Sequence, residues 1–190
     1  MASLIKEDLI KAYLFAKEAH KDQKRKFSNK SYFTHPKGVA RILESYKDIS
    51  TEEIIAALLH DVVEDTDITI HDIREKFGED VSRLVDDVTS KIRNKQSKVK
   101  YMCELMKTLN KRALRIKLAD RLHNILYLDA DNVNFKFCKK YYIETTSMME
   151  TLKTCTRTDI FNDEVCSDLI NHIKSVLVYL NLRFKFGEDY

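Results

Sequence analysis

The sequence predicts an all-α fold, a bundle of about eight to ten helices, and three observations carry that expectation. The chain of 190 residues contains only three Gly and one Pro, too little turn punctuation for a Greek key or a barrel. Apolar residues make up 44% and recur at three- and four-residue spacing, the period of an amphipathic helix. Helix-start signatures stand between these runs. The length suits one domain, residues 1–190, whose core needs no disulfide staples.

Leu4 to His20 reads as the first helix, with Leu4, Ile5, Leu9, Ala12, Tyr13 and Ala16 inward and Ser3 as N-cap; Lys6 leaves its capping box incomplete. A polar, mostly basic loop follows to Lys30. In Tyr32-Phe33-Thr34-His35-Pro36 the proline suits a first helical position, which puts His35 at or near the N-cap of a helix running to about Lys47. Histidine is not a favoured cap, so it is either a ligand turned inward or a half-buried packing residue. Ser50 and Glu53 form a capping box that opens the next helix. Thr69 caps a helix to Phe77, Gly78 takes the positive-φ position after it, and Glu79 to Val88 forms another.

Thr89 to Lys98 is polar and basic and reads as a loop, and Val99 to Leu109 as a helix. Arg112 to Asp129 is apolar on most sides and should run through the middle of the bundle. Its polar stripe is Lys117, Asp120 and Asn124. A lone buried carboxylate is costly unless paired or metal-bound, so Asp120 either joins Lys117 or Arg121 in an ion pair or binds a cation. Phe135 to Thr154 is rich in aromatics and Met, suited to core or to a homo-oligomer contact. Asn162-Asp163-Glu164 opens a last long helix, Val165 to about Leu182, followed by a tail to Tyr190.

Several functional classes fall away. No run approaches the roughly eighteen apolar residues of a membrane span, and Met1 to Glu7 has no signal-peptide pattern. Cys103, Cys138, Cys155 and Cys166 are irregularly spaced, which predicts free thiols in a reducing, cytoplasmic compartment. There is no Gly-rich phosphate loop and no nucleophile elbow. Charge is segregated: Asp48 to Asp87 holds thirteen acidic residues against Arg74, Lys76 and Arg83, while Lys91 to Lys117 holds ten basic ones against Glu104. That pattern suits a metal-bound polyphosphate, or solvated helix faces.

The stretch Leu58-Leu59-His60-Asp61-Val62-Val63-Glu64-Asp65-Thr66 is the chemical focus. In a continuous helix His60 would stand over Glu64 and Asp61 over Asp65. So many acids on one surface repel one another unless a cation sits among them. His35, His60, Asp61 and Asp120 would give two nitrogen and two oxygen ligands from three helices, a mixed set that leans to manganese or iron over structural zinc. Glu64 and Asp65, one turn on, could handle the protons of a metal-activated water. With no Gly-rich loop, phosphates must be met by side chains such as Lys21, Lys24, Arg25 and Lys26, or Lys91, Arg93, Lys95, Lys111, Arg112, Arg115 and Lys117.

These residues carry a resemblance. Gln23-Lys24-Arg25-Lys26 followed by Tyr32-Phe33-Thr34-His35-Pro36, then Ala57 to Thr66, then Lys117-Leu118-Ala119-Asp120-Arg121-Leu122-His123-Asn124 resemble, in order and spacing, the hydrolase domain of RelA/SpoT-type alarmone enzymes. The likeness covers a core of roughly 5–155, leaving 156–190 as a helical extension, and is to the small stand-alone, MESH-like hydrolases of the HD superfamily. It implies an HD-domain bundle and a Mn²⁺-dependent guanosine-3′,5′-bis(diphosphate) 3′-pyrophosphohydrolase that converts (p)ppGpp to GDP or GTP and pyrophosphate, an enzyme of the stringent response. It implies His35, His60, Asp61 and Asp120 as metal ligands and Glu64 and Asp65 as the catalytic pair. Arg25, Lys26, Ser28, Lys117 and Asn124 would then meet substrate. For His35 and Asp120 it is the resemblance that decides between ligand and packing roles.

The sequence departs from the family pattern at Phe27-Ser28-Asn29-Lys30-Ser31, at Asp87, at Asn110 and at Tyr127. The first of these alters the base-side loop. Three other readings stand beside the leading one: another HD-type nucleotide phosphohydrolase, such as an NADPH phosphatase, a nucleic-acid-binding protein using the basic 91–117 segment, and a metal-binding scaffold without turnover. On the leading reading the partner is a small guanosine polyphosphate, with no stable nucleic-acid partner and no membrane.

Overall fold

The computed structural model describes residues 2–91, 98–129 and 134–186. Among the described residues ten α-helices carry the chain: α1 (Ala2–Ala19), α2 (Thr34–Glu44), α3 (Thr51–Leu59), α4 (Val62–Asp65), α5 (Ile70–Val88), α6 (Lys98–Thr108), α7 (Lys111–Leu126), α8 (Phe135–Thr154), α9 (Thr158–Phe161) and α10 (Glu164–Phe186). A short 3-10 turn, Tyr127–Asp129, follows α7. The all-α expectation holds, and only a lone antiparallel bridge, Lys24 to Ser31, interrupts it among the described residues.

The α7 helix is the axis. Ala113, Leu114, Ile116, Leu118, Ala119 and Ile125 are fully buried on it, and α2, α3, α5, α8 and α10 all pack against it. The α2 helix also lies on α3, α1 covers α3, and α6 covers α8. One apolar core runs from Ala12 and Ala16 of α1 to Leu177 and Leu180 of α10. Burying that much apolar surface is the dominant stabilising term.

Local chemistry sets the helix ends. Ser50 and Glu53 cap each other reciprocally at α3, as the sequence suggests, and Thr69 with Asp72 does the same at α5. Gly78 has φ 86 and ψ 173, a region open to Gly alone in practice. It joins the two expected helices so tightly that they run together as a kinked α5. Asn110 accepts from Ala113 N and starts α7.

Besides α10, which runs past Leu182 to Phe186, and α7, which ends at Leu126 and not Asp129, three boundaries differ from expectation. Ser3 falls inside α1 and is not its N-cap. The α2 helix begins at Thr34, with Phe33 as its helical-φ/ψ N-cap, so His35 and Pro36 occupy the first turn, not the cap and first position. The preceding turn explains this: Thr34 N and Oγ1 both donate to Ser31 O, and His35 N donates to Tyr32 O. Pro36 still loses nothing there, since the first turn has no intrahelical acceptors. The helix then stops at Glu44, short of Lys47.

The third difference matters for function. The α3 helix ends at Leu59 and α4 begins at Val62, with His60 and Asp61 in the turn between them. The expected unbroken helical lines therefore do not exist, although Asp65 N still donates to Asp61 O and keeps those two one turn apart. The short α9 was not foreseen. Of the expected 89–98 loop, Lys98 is already helical and positions 92–97, with Arg93 and Lys95, lie outside the described residues, as does the tail from 187.

A buried ionic joint ties α10 to the centre. Arg115 Nε donates to Asp163 Oδ1 at 3.0 Å, and its Nη1 donates to Glu53 Oε1 and to Asp48 O, each at 3.1 Å. Cys138 and Cys166 are buried, Cys103 and Cys155 half-buried, and all four are free. Among the described residues no helix is long and apolar enough to cross a membrane.

Candidate metal centre and active site

Four side chains from three separate segments converge on one point. His35 comes from the first turn of α2, His60 and Asp61 from the α3–α4 turn, and Asp120 from the middle of α7. His60 Nε2 lies 3.1 Å from Asp61 Oδ2 and 3.9 Å from Asp120 Oδ1; His35 Nε2 lies 3.5 Å and 3.2 Å from the same two oxygens. One ligand atom each of His35, His60 and Asp120 falls within 4.8 Å of the others. Both imidazoles are fully buried.

The ring orientations decide what this arrangement can hold. His60 Nδ1 lies 2.8 Å from Ala57 O, an acceptor only, so Nδ1 carries a proton and Nε2 is the nitrogen left to meet an ion. That Nε2 is buried and has no hydrogen-bond partner. His35 Nδ1 lies 3.0 Å from His123 Nδ1. Burial, reinforced by His35 and Arg25, lowers the His123 pKa to about 4, so His123 is neutral and accepts from His35. The His35 Nε2 lone pair then also faces the carboxylates. Each of these nitrogens lies within 4 Å of an Asp61 and an Asp120 oxygen, and the ligand atoms of His35, His60 and Asp120 are close enough together to share one ion, with Asp61 beside them. The donor set fits a divalent ion, with each histidine fixed by an outer partner as metal-binding histidines usually are.

The electrostatics agree. Burial alone would lower the His60 pKa, but the charge of Asp61 3.1 Å away, with Asp120 behind, raises it to about 9, so an ion bound at Nε2 would displace a proton from it. Burial alone would raise Asp61 and Asp120. His60 and then His35 outweigh it for Asp61, and Lys117 and then the two histidines for Asp120, so both stay below the usual carboxylate range. The site attracts cations.

Asp61 Oδ2 also accepts from the Tyr32 hydroxyl at 2.8 Å. Asp120 Oδ1 accepts from Asn124 Nδ2 at 2.6 Å. Lys117 Nζ donates to Val88 O at 3.1 Å and lies 3.5 Å from Asp120 Oδ2. Expected to meet substrate, Lys117 is instead buried beside a carboxylate of the centre. Glu64 and Asp65 are exposed at the rim; Glu64 Oε2 accepts from Ser90 N at 3.1 Å. Although Asp65 is exposed as a whole, partial burial of its carboxyl, then the charge of Asp61, raises its pKa.

Arg25 stands at the rim, its guanidinium 4.4 Å from the Tyr127 ring centre. Lys26 lies over Phe137, and Phe27, at φ 61, packs edge-on to the same ring. Ser28 Oγ accepts from Lys30 N in this loop. Among the described residues of the basic 91–117 segment, Lys91 pairs with Asp86, Lys107 with Glu104, Arg112 with Asp80 and Arg115 with Glu53 and Asp163. Each of these four cations is thereby drawn towards a carboxylate of the protein itself.

Sequence reasoning gave no individual role to Tyr32 or His123. Tyr32 was legible only as a neighbour of His35, and His123 only as the residue three beyond Asp120; their partners are 29 and 88 residues away.

An all-α bundle that closes two imidazoles and two carboxylates about one buried point is a histidine–aspartate metal domain. The chain belongs to the HD domain family, whose model matches residues 12–147. Within it the chain is SpoT- and MESH1-like. It is 43% identical over 128 residues to guanosine-3′,5′-bis(diphosphate) 3′-pyrophosphohydrolase of Aquifex aeolicus, a match covering 63% of this chain but 17% of that protein. It is 41% identical over 120 residues to the Xenopus tropicalis MESH1 protein, covering 62% of this chain and 67% of that one. A solved metazoan ortholog of SpoT, described as hydrolysing ppGpp, aligns with TM-score 0.76 at 28% identity over 90% of this chain and 94% of its own.

Proposed function

We propose that this chain is a Mn²⁺-dependent guanosine-3′,5′-bis(diphosphate) 3′-pyrophosphohydrolase, cleaving (p)ppGpp with water to GDP or GTP and pyrophosphate. The observation that carries this is the meeting of buried His35, His60 and Asp120, with half-buried Asp61 beside them and Glu64 and Asp65 one turn on, in a chain whose relatives bear that activity in their names. His35, His60, Asp61 and Asp120 hold the ion, and a nitrogen–oxygen set without thiolate suits manganese. The ion supplies Lewis-acid activation of water and of phosphoryl oxygen.

The chain's own groups do the rest. Glu64, steadied by Ser90 N–H, orients the attacking water and takes its proton. Asp65, with its raised pKa, holds a proton for the ribose 3′-oxygen as that bond to phosphorus breaks. Arg25, already against an aromatic ring, stacks on the guanine; Lys26, Ser28 and Asn124 line the nucleotide, and Lys117 steadies Asp120. The free thiols support a reducing, cytoplasmic setting, and the whole chain acts as one catalytic domain with 156–190 as its helical extension.

The test is product identity. Protein loaded with Mn²⁺ and given ppGpp should release pyrophosphate and GDP. Glu64→Gln and Asp65→Asn should each reduce turnover by at least about 100-fold without unfolding the protein. Release of inorganic phosphate from NADPH, with none of pyrophosphate from ppGpp, would replace this reading with that of a nucleotide phosphatase.

A further inference from the structure

A fully buried imidazole outside the metal centre has no role in the chemistry above. His20 follows the last residue of α1 and has no exposed surface. Its Nδ1 lies 2.7 Å from Gln23 Oε1, and its Nε2 is buried without any hydrogen-bond partner. Its ring rests on Tyr32, centroids 5.0 Å apart. Leaving a buried ring nitrogen unsatisfied costs stability, and a hydrocarbon of similar size would pack there without that cost. Whatever the imidazole contributes must therefore come from Nδ1.

The Gln23 amide shows what that is. Its Nε2 donates to Asp65 O at 2.7 Å, a carbonyl in the last turn of α4 that has no intrahelical donor. With the nitrogen committed to Asp65, the amide oxygen faces His20, and only a protonated Nδ1 can bond it. The His20 hydrogen bond thus selects the amide orientation that holds the α4 terminus. The same ring backs Tyr32, whose hydroxyl donates to Asp61 Oδ2. Backbone bonds reinforce the unit: Gln23 N donates to His20 O and Tyr32 N to Gln23 O.

We propose that His20, acting through Gln23, is a positioning residue for Asp65: the His20–Gln23 pair fixes where the Asp65 carboxyl stands relative to the metal centre. The function of this pair rests on the hydrolase reading above. It accounts for a local rule broken inside the fold, since polar groups buried at a cost cluster where function needs order. A displaced reacting group costs rate without loosening binding of the ground state.

His20→Phe keeps a ring against Tyr32 and removes Nδ1–H; His20→Asn removes the ring but keeps a donor near the Nδ1 position; Gln23→Met, at a half-exposed site, removes both bonds and is safe for folding. In ppGpp hydrolysis His20→Phe and Gln23→Met should lower kcat by about 100-fold, with KM and Mn²⁺ affinity within about twofold of the parent. His20→Asn should recover most of the loss. Backbone amide exchange at positions 62–66 should rise in His20→Phe and Gln23→Met and return towards the parent in His20→Asn. Parent-like kcat in Gln23→Met, or a His20→Asn as slow as His20→Phe, would overturn the proposal. Should the parent itself release no pyrophosphate, the hydrolase reading fails, and the amide-exchange pattern alone then decides whether the pair holds α4.

Discussion

His35 and His123, 88 residues apart in the chain, meet Nδ1 to Nδ1 at 3.0 Å. The contact makes His123 the acceptor that fixes the His35 tautomer and turns its Nε2 towards Asp61 and Asp120. Removing that outer partner frees the His35 ring to rotate and to place its proton on either nitrogen. His123→Leu should therefore weaken divalent-ion binding by about 10–100-fold while leaving the fold intact. Calorimetric titration of the metal-stripped protein with Mn²⁺ measures this. Unchanged affinity would mean that His35 is oriented by packing alone.

Gly38 is needed for that contact. A Cβ added there would overlap the His123 imidazole, so α2 carries a glycine where the ring passes over its backbone. In an unobstructed helix interior Gly→Ala stabilises by about 0.5–1 kcal/mol. Here Gly38→Ala should instead destabilise by about 1–3 kcal/mol, the range for overpacking, and should lower metal affinity by pushing His123 off His35. The sign should reverse in a His123→Ala background, where the same change becomes neutral or stabilising. Denaturant melts of the four proteins in this cycle give the coupling directly. Simple additivity would show that the ring moves aside freely.

These two contacts mark the border of what the sequence reveals. Helices were legible because apolar period and caps are local: α8 runs from Phe135 to Thr154 as the pattern indicates, and the Ser50–Glu53 box stands where three-residue spacing puts it. His60 and Asp61 were legible because adjacent ligands on a short acidic stretch need a cation. The break between α3 and α4 was not, since nothing in Leu59-His60-Asp61-Val62 disfavours helix; Asp61, at φ −98 and ψ −9, leaves the helical line in a place where its carboxylate faces the two imidazoles and the Tyr32 hydroxyl. Pairs such as His35–His123, Tyr32–Asp61 and Glu64–Ser90 join segments dozens of residues apart, and no periodicity encodes them.

The Arg115 joint predicts a pH-dependent loss of stability. Burial alone would raise the Asp163 pKa, but hydrogen bonds from Arg115 and Cys166 N hold it below the usual carboxylate value. A depressed carboxylate stabilises the fold fully above its unfolded pKa, near 3.8, and the contribution disappears as pH falls through the lower folded value. Arg115→Met leaves Glu53 and Asp163 buried without their shared cation, so it should cost about 3–5 kcal/mol at neutral pH. The gap between the two proteins in urea melts should narrow in acid, as Asp163 becomes neutral. A gap independent of pH would assign the loss to packing instead.

Metal removal should separate the two carboxylates of the centre from the rest of the fold. Without an ion, Asp61 and Asp120 share a buried point with two imidazoles and rely on protons for compensation. An ion that binds only the folded state stabilises it by about 2.7 kcal/mol at a hundredfold excess over its Kd. Chelator-treated protein should therefore melt several degrees lower, and Mn²⁺ should restore the parent Tm. Asp120→Asn supplies the control. It lacks one anionic ligand, so Mn²⁺ should no longer raise its Tm. Its metal-free form should be less stable than the metal-free parent, because buried Lys117 and the two imidazoles lose the carboxylate charge they hold below its usual pKa range. If Asp120→Asn still gained the full Mn²⁺ increment, the ion would be binding elsewhere, and the convergence of α2, α7 and the α3–α4 turn would need another explanation.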